Sequence, residues 1–507
     1  MLSHYAFFSI IALSCFSSMF FFNKSNIKIS LFLLFITALV LRLFFINTDN
    51  YLHDWDERFH AIVAKNMISF PFQPMLRVNL VLENYDFTAW CCNHIWLHKQ
   101  PLFLWQIALS MKCFGVNTFA LRLPSALMGA LLIFPTYRIA QLIFNSNVGY
   151  YAAFLLTFAF YQIELISGAM GMDHNDMTFL FYITLSLWAY FEYNNKADFK
   201  WLILVGLFSG AAILCKWLVG LLVYFGWGLH ILLNYKNVDF KQQVKSMFIS
   251  IFVTGITFLP WQIYTSIYFP KESTYERAYN TKHIFEAVEG HTGTVFYYLQ
   301  NLGLNYSSEL ILFILLGIIF LFQERSTKKI IFLSYIAVIY VFFSIIVKSK
   351  LPSYVYLISP LVYILIAYAI DNLFVNRLEI SNKVKQISIF SILIFCALFT
   401  LQPTKLIESH FSSLEIEKKR NNTSIYKQLN ELVPKDYTVF NCKSFEDTEA
   451  MFFSDRNVYH WYMNEKEYQD LKQKGIKIAA FKNHTNQQLP SYLSNDKDVL
   501  IIDKELK

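Results

Sequence analysis

Between Tyr51 and Pro101 the sequence gathers Asp54, Asp56, Glu57, Arg58 and His60, then His94, His98 and Lys99, in a polar stretch bordered by apolar runs. A carboxylate in such a place can take the proton of an acceptor hydroxyl as a general base. Lys99, directly before Gln100-Pro101 and an apolar helix start, is placed to meet a phosphate. Both features also have plainer readings. Asp56-Glu57 opens an amphipathic stretch in which Phe59, Ile62, Val63 and Met67 share a helical face, so the acids would also complement the helix dipole. Lys99 would also snorkel to lipid headgroups.

Similar chemistry recurs downstream. Gly171-Met172-Asp173-His174-Asn175-Asp176 sets two acids and an imidazole between apolar runs. The set can hold a cation or merely solvate a turn, and without a third spaced ligand the metal reading is the weaker. Lys216 interrupts the apolar run Leu202–Leu233, and a cation in or beside a membrane is costly enough to mark a functional candidate. The loop from Lys271 to His291, with Glu272 and Glu289, reads as a lid or a solvated loop. Lys348-Ser349-Lys350-Leu351-Pro352-Ser353-Tyr354 repeats the arrangement of cations and a proline before a membrane helix. There is no Walker loop, GxGxxG, HExxH or GxSxG, so nucleotide-driven and hydrolytic chemistries have no local support.

Composition says what must position these groups. Of 507 residues, 55% are hydrophobic, 18% aromatic and only 16% charged, with a mean hydropathy of +0.38. Too little charge is present to cover a soluble fold of this size, which makes the chain a polytopic membrane protein. The net charge of +7 then belongs to cytoplasmic loops and not to nucleic-acid binding. Apolar runs near 5–22, 30–47, 119–143, 148–166, 177–192, 201–215, 217–234, 246–268, 307–324, 330–347, 354–371 and 386–402 predict about 12 crossings, with 102–114 interfacial. The first run lacks a basic flank and a small-residue cleavage site and is read as a retained helix. Seven cysteines, with Cys91-Cys92 adjacent and no CxxC spacing, make no disulfide framework.

Lys24, Lys28, Arg138, Lys196, Lys200, Lys236, Lys241, Lys245, Arg325, Lys328, Lys329, Arg377, Lys383 and Lys385 fall on alternate loops, which the positive-inside rule makes cytoplasmic. Asp56, Glu57, His98, Lys99, Asp173, Asp176, Lys216, Glu272, His291, Lys348 and Lys350 then share the external side. Several cations near headgroups on that side suit a phosphate carried by a lipid. The predicted organisation is a transmembrane domain over 1–403, with external loops 48–118 and 269–306. A polar external domain follows over 404–507, in which β-like runs at Thr438–Cys442, Ile476–Phe481 and Val499–Ile502 alternate with helical patterns, as in a small α/β domain.

The blocks Asp56-Glu57-Arg58-Phe59-His60-Ala61, Lys99-Gln100-Pro101-Leu102, Leu121-Arg122-Leu123-Pro124-Ser125-Ala126, Met172-Asp173, Gly210 to Lys216, Glu289-Gly290-His291 and Ser349 to Tyr354 together resemble a known family. It comprises the bacterial lipid-linked glycosyltransferases related to protein O-mannosyltransferases (glycosyltransferase family 39) and to the lipid A aminoarabinose transferase. The resemblance covers roughly 50–360 and implies an α-helical GT-C membrane fold. It also implies transfer of a sugar from a polyprenyl-phosphate donor to an acceptor hydroxyl on the external (periplasmic) face of the inner membrane. By that resemblance the catalytic carboxylate falls on Asp56, with Glu57 beside it, and the third-loop acid on Asp173 or Asp176. The lipid phosphate falls on Lys99, with Arg58, Lys216, Lys350 and Tyr354 as further donor contacts. The sequence departs from the pattern with Lys-Gln-Pro for Lys-Pro-Pro, His98 where relatives often carry Glu, and Glu272-Ser273 for an expected Glu-His. His98, Glu272 and His291 are thus candidates for a divalent metal ion or the acceptor. Expected partners are the donor, membrane lipids and an acceptor that is lipid, glycan or protein. A flippase or small-molecule transporter is the alternative from another class, and a whole-glycan ligase shares the donor chemistry.

Overall fold

The computed structural model describes residues 4–82, 86–89, 93–171, 173–236, 239–324, 326–377, 381–411, 413–482 and 489–507. Cys91-Cys92, Met172 and Arg325 lie outside them. Every predicted apolar run lies on helix, as expected where no water is available to satisfy backbone groups. Among the described residues seven helices are long and apolar enough to span a bilayer: Ala6–Asn23, Ile27–Ile46, Thr118–Ile143, Phe199–Leu233, Phe240–Tyr268, Thr327–Ile346 and Val384–His410. The pair Ser146–Thr157 and Phe160–Ser167, bent by 47°, makes an eighth if read as one span. Leu102–Phe114, Ser308–Gln323 and Ser359–Phe374 are shorter apolar helices. The predicted runs 201–215 and 217–234 fall in one stretch, Phe199–Leu233, broken by a 3-10 turn at Trp217–Leu221. Run 177–192 lies in Asp173–Lys196, a helix of 24 residues. The chain is an integral, multi-pass membrane protein.

Contacts group the chain into two compact units. The first comprises Met1–Phe45, Ser125–Tyr268 and Glu276–Leu406, almost wholly helical. One close seam uses Gly206 and Gly210, four residues apart. A Cβ on Gly206 would lie 2.5 Å from the Ser250 carbonyl oxygen, and one on Gly210 2.5 Å from the Thr257 Cβ. Small residues at this spacing let helix backbones approach where apolar burial gives no drive between helices.

The second unit comprises Ile46–Pro124, Phe269–Tyr275 and Ile407–Lys507. It holds a four-stranded parallel sheet of β1 (Tyr437–Phe440), β2 (Asn457–Val458), β3 (Lys477–Phe481) and β4 (Leu500–Ile502) in the order β2-β1-β3-β4. Strand β2 has only two residues, too few to show an alternation in sequence. Helices Asp447–Phe453 and Glu465–Gln473 lie between strands, the latter opened by a capping box of Asn464 and Glu467. The Phe59, Ile62, Val63 and Met67 stripe is buried in one core with Trp96, Leu104, Val439, Ala450, Phe452 and Ala479. Each such side chain contributes about 1.5–3 kcal/mol on burial, so the first loop is held to the sheet by packing as well as by charge.

Candidate functional site

The first cluster lies in the second unit. Helix Asp56–Met67 starts at Trp55, whose φ of 63° and ψ of −110° are unfavourable for any residue but glycine. The Trp55 carbonyl accepts from the N–H groups of Arg58 and Phe59, so the chain turns sharply and at once becomes helix. Asp56 therefore stands at the first helical position, where the dipole favours its charge. Its carboxylate lies 3.3 Å from the Lys99 ammonium, with side chains 24% and 9% exposed respectively. Burial raises the Asp56 carboxyl, but Lys99, with His60 and His98, carries it below its ordinary value. Its neighbours favour the charged form, and a quarter of its side chain is exposed.

Glu57, its neighbour, is fully buried. Arg122 grips it through Nε at 2.6 Å and Nη2 at 2.9 Å, and the His53 N–H donates to it at 2.7 Å. Arg122 also donates to the carbonyls of Asp49 (2.6 Å), Tyr51 (2.8 Å) and Ile46 (3.4 Å). One guanidinium thus gathers the loop that leads into Asp56, and Glu57 is its counter-charge. Arg58 is likewise engaged within the protein. It pairs with Glu449 (3.1 Å), Glu446 (3.4 Å) and Asp54 (2.9 Å). Lys65 caps the end of helix Asp447–Phe453 by donating to the carbonyls of Met451, Phe452 and Ser454. The buried Arg77 pairs with the buried Asp447.

The second cluster lies in the first unit. Helix Asp173–Lys196 begins with Asp173 at φ 40°, its carboxylate accepting from the His174 N–H. Asp176, 7% exposed, is paired with Lys216, 22% exposed. The Lys216 ammonium also lies 4.8 Å from the Tyr354 ring centre, a cation–π distance. Lys216 ends helix Phe199–Lys216 because Trp217 leaves the helical region at φ 59°. Nearby, the Asn175 amide donates to the Cys215 carbonyl (2.9 Å) and the His174 Nδ1 lies 3.0 Å from the Ser125 hydroxyl. Gly171, at φ 68°, is needed for closeness too, since a Cβ there would meet the Leu165 Cδ2 at 2.9 Å.

The remaining predicted residues are dispersed. Lys350 is buried and its ammonium donates to the carbonyls of Phe343, Ser344 (2.9 Å) and Val347 (2.5 Å), capping the π turn Phe342–Ile346. His291 lies 3.8 Å from Glu289, both more than a third exposed, and its carbonyl accepts from the Lys350 N–H. In the second unit, Glu272 is buried and its charge reaches His94, whose imidazole burial holds below its ordinary value. His98 is half-buried beside Trp96, with ring centres 5.7 Å apart.

One grouping escaped sequence reasoning. Asp49, His53 and His410, all buried, bring three ligand atoms within 4.8 Å of one another. Asp49 Oδ2 lies 3.1 Å from His53 Nε2 and 2.5 Å from His410 Nδ1, while its other oxygen takes no hydrogen bond among the described residues. Asp49-x3-His53 is a local signal, but His410 lies 361 residues away in sequence from Asp49. One carboxylate and two imidazoles suit a transition-metal ion, and the orphaned oxygen gives such an ion a further ligand, so the residues fit one. Among the described residues this is the one group of three or more ligands close enough to share an ion, and it includes none of His98, Glu272 and His291.

Residues 98–264 match the family profile described as Dolichyl-phosphate-mannose-protein mannosyltransferase. An undecaprenyl phosphate-α-4-amino-4-deoxy-L-arabinose arabinosyl transferase of Pseudomonas fluorescens is 24% identical over 262 residues, covering 50% of this chain and 46% of the relative. ArnT from Cupriavidus metallidurans, solved with undecaprenyl phosphate, superposes with a TM-score of 0.63 at 16% identity, covering 87% of each chain. This chain has the GT-C fold. The archaeal oligosaccharyltransferase AglB from Archaeoglobus fulgidus, solved with an inhibitory peptide and a dolichol-phosphate, shares this GT-C architecture at a TM-score of 0.57 and 12% identity, over 87% of this chain and 68% of that one. The curated relatives are matched over only 27% to 46% of their own length.

Proposed function

We propose that this GT-C protein transfers a sugar from a polyprenyl-phosphate donor to an acceptor hydroxyl at the external, periplasmic face of the inner membrane. Asp56 is the base and Lys99 contacts the lipid phosphate. The observation that carries the reading is the pair itself, an accessible carboxylate held ionised 3.3 Å from a lysine. The relatives named as sugar transferases and the lipid phosphates bound by the two structural neighbours support the donor class.

A lipid phosphate is already a weakly basic leaving group and needs charge stabilisation more than a general acid. The acceptor oxygen attacks the anomeric carbon while its proton passes to Asp56. The bond from that carbon to the phosphate oxygen breaks, and the electron pair leaves with the phosphate, which Lys99 stabilises. A single displacement inverts the anomeric centre. Asp49, His53 and His410 would hold a divalent ion, which would serve as a structural clamp tying the 49–53 segment to the helix that ends at His410. Elemental analysis should find about one equivalent of metal in purified protein and little in His410→Ala; no metal in either would leave the triad a hydrogen-bonded clamp.

The deciding experiment incubates wild type and Asp56→Asn with radiolabelled polyprenyl-phosphate sugars and a membrane extract. Label should move to an extract component with wild type, and about 10²–10⁴-fold more slowly with the variant. Full activity in Asp56→Asn would remove it from the base role. No transfer from any donor by folded wild type would overturn the reading and direct attention to flux assays in vesicles.

A further inference from the structure

Trp55, one residue before the proposed base, is 53% exposed and held at a backbone conformation that costs free energy. Its ring lies 5.0 Å from that of Phe445, which is itself at φ 60°. Phe445 continues to His460 at 5.1 Å, and His460 to Trp461 at 4.7 Å. A row of rings therefore runs from the doorstep of Asp56 onto the α/β domain, entirely within the second unit. Two strained residues in contact, each presenting an aromatic ring, mark this surface as a candidate for function.

The row is rigidly supported. His460 Nδ1 is 3.1 Å from the buried Asp447, which Arg77 also pairs. The Trp461 carbonyl accepts from the N–H of Asn441 at 3.2 Å. Asn441 sits at the carboxyl end of β1, where the strand order reverses and α/β sheets commonly bind ligands. It is buried at φ 59°, and its amide oxygen takes no hydrogen bond among the described residues. Around the rings lie exposed Ser444, and Asp54 with 46% of its side chain exposed, while the row itself contains no aliphatic side chain. The contrast within the same unit is a groove of about 400 Å³ where Phe72 and Trp105 are mixed with Met67, Ile68, Ala108 and Leu109, a largely apolar lining that suits a hydrocarbon. Flat rings edged by polar groups instead match a molecule with C–H faces and hydroxyl rims, since aromatic side chains combine apolar faces with directional partners.

We propose that this row is the acceptor subsite and that the acceptor is a glycan, one sugar ring resting on Trp55 with its hydroxyl at Asp56 and the next toward Phe445 and Trp461. The inference rests on the transfer reading for its orientation, but the binding itself can be tested apart from turnover.

The test uses full-length protein in nanodiscs, with octyl glucoside, octyl galactoside and octyl N-acetylglucosaminide below their micellar concentrations as probes and a Ser/Thr hexapeptide as contrast. Saturation-transfer NMR should pass magnetisation to sugar ring protons in wild type and in Asp56→Asn. Phe445→Gly and Trp55→Gly remove a ring while relieving its positive φ or mirror-image strand conformation. They should weaken glycoside binding at least tenfold with a melting temperature unchanged or raised, a combination that loss of mere structural support would not give. In turnover, the acceptor KM should rise about tenfold and kcat should change less than threefold, and Trp55→Phe should restore most of the loss. Glycoside binding equal in wild type and both glycine variants, or binding of the peptide alone, would overturn the proposal. Full transfer by Asp56→Asn with binding still lost in Phe445→Gly would sink the base assignment and leave the glycan subsite standing.

Discussion

The two acid–lysine clusters use the same parts in opposite senses. At Asp56–Lys99 the acid is the exposed partner, 24% against 9%; at Asp176–Lys216 the lysine is, 22% against 7%. Each acid lies in the first turn of a helix and each cluster adjoins positive-φ residues, Trp55 in one case and Asp173 and Trp217 in the other. What differs is what each pair offers to a visitor. The first offers a carboxylate already ionised, suited to receive a proton. The second offers an ammonium beside an aromatic face and a buried counter-charge, suited to an anion. Sequence presents both as an acid and a base at membrane ends; only burial separates their roles.

The largest effect should come from breaking the support that distinguishes the first cluster. Arg122→Met would leave Glu57 buried without its partner and strip donors from the carbonyls of Asp49 and Tyr51. Removing one member of a buried pair costs about 3–5 kcal/mol, which a thermal shift or denaturant series would register. A loss below about 1 kcal/mol would mean that Arg122 is not what holds Asp56 in place. A smaller effect is expected from Lys216→Met. Hydrogen bonds to charged groups contribute about 1.5–3 kcal/mol, so loss of an anion contact should raise the donor KM roughly ten- to hundredfold with the acceptor KM unmoved. An unchanged donor KM would make Lys216 a structural partner of Asp176 and dissolve the contrast between the clusters.

Much of this arrangement was legible in the sequence, and the rest was hidden for identifiable reasons. Continuous apolar runs lie on helix because a bilayer leaves backbone groups no other partner, and the stripe of Phe59, Ile62, Val63 and Met67 foretold the buried face of the first-loop helix. Asp56, Lys99, Asp176 and Lys216 could be nominated because charges beside apolar runs are conspicuous. Their pairing could not, since it depends on chain reversals at Trp55 and Trp217 that no local pattern announces. Arg58 and Lys350 read by type as phosphate contacts, and in the structure their charges meet Glu446, Glu449 and backbone carbonyls. Composition cannot tell a cation that waits for a ligand from one that ties the fold together. Asp49, His53 and His410 were invisible for the opposite reason, because the ligand that completes the group comes from a distant helix end.

The subtlest test concerns the acid limb of activity. Burial raises the Asp56 carboxyl and Lys99 is the largest influence that lowers it, so its folded value lies below the ordinary one. As a base it works only when ionised, and activity should therefore persist into acid until Asp56 is protonated. Lys99→Met removes the main lowering influence while leaving burial in force, so the acid limb should move to higher pH. The stability linkage has the same sign. A carboxyl with a depressed folded pKa contributes stability above its unfolded value and loses it as pH falls through the folded one, so Lys99→Met should also weaken the acid dependence of melting. Lys216→Met should leave the acid limb where it was, because in that cluster the acid is the buried partner and the proposed base is Asp56. If both variants moved the limb equally, Asp56 could not be the base on grounds of exposure, and the two clusters would be chemically alike.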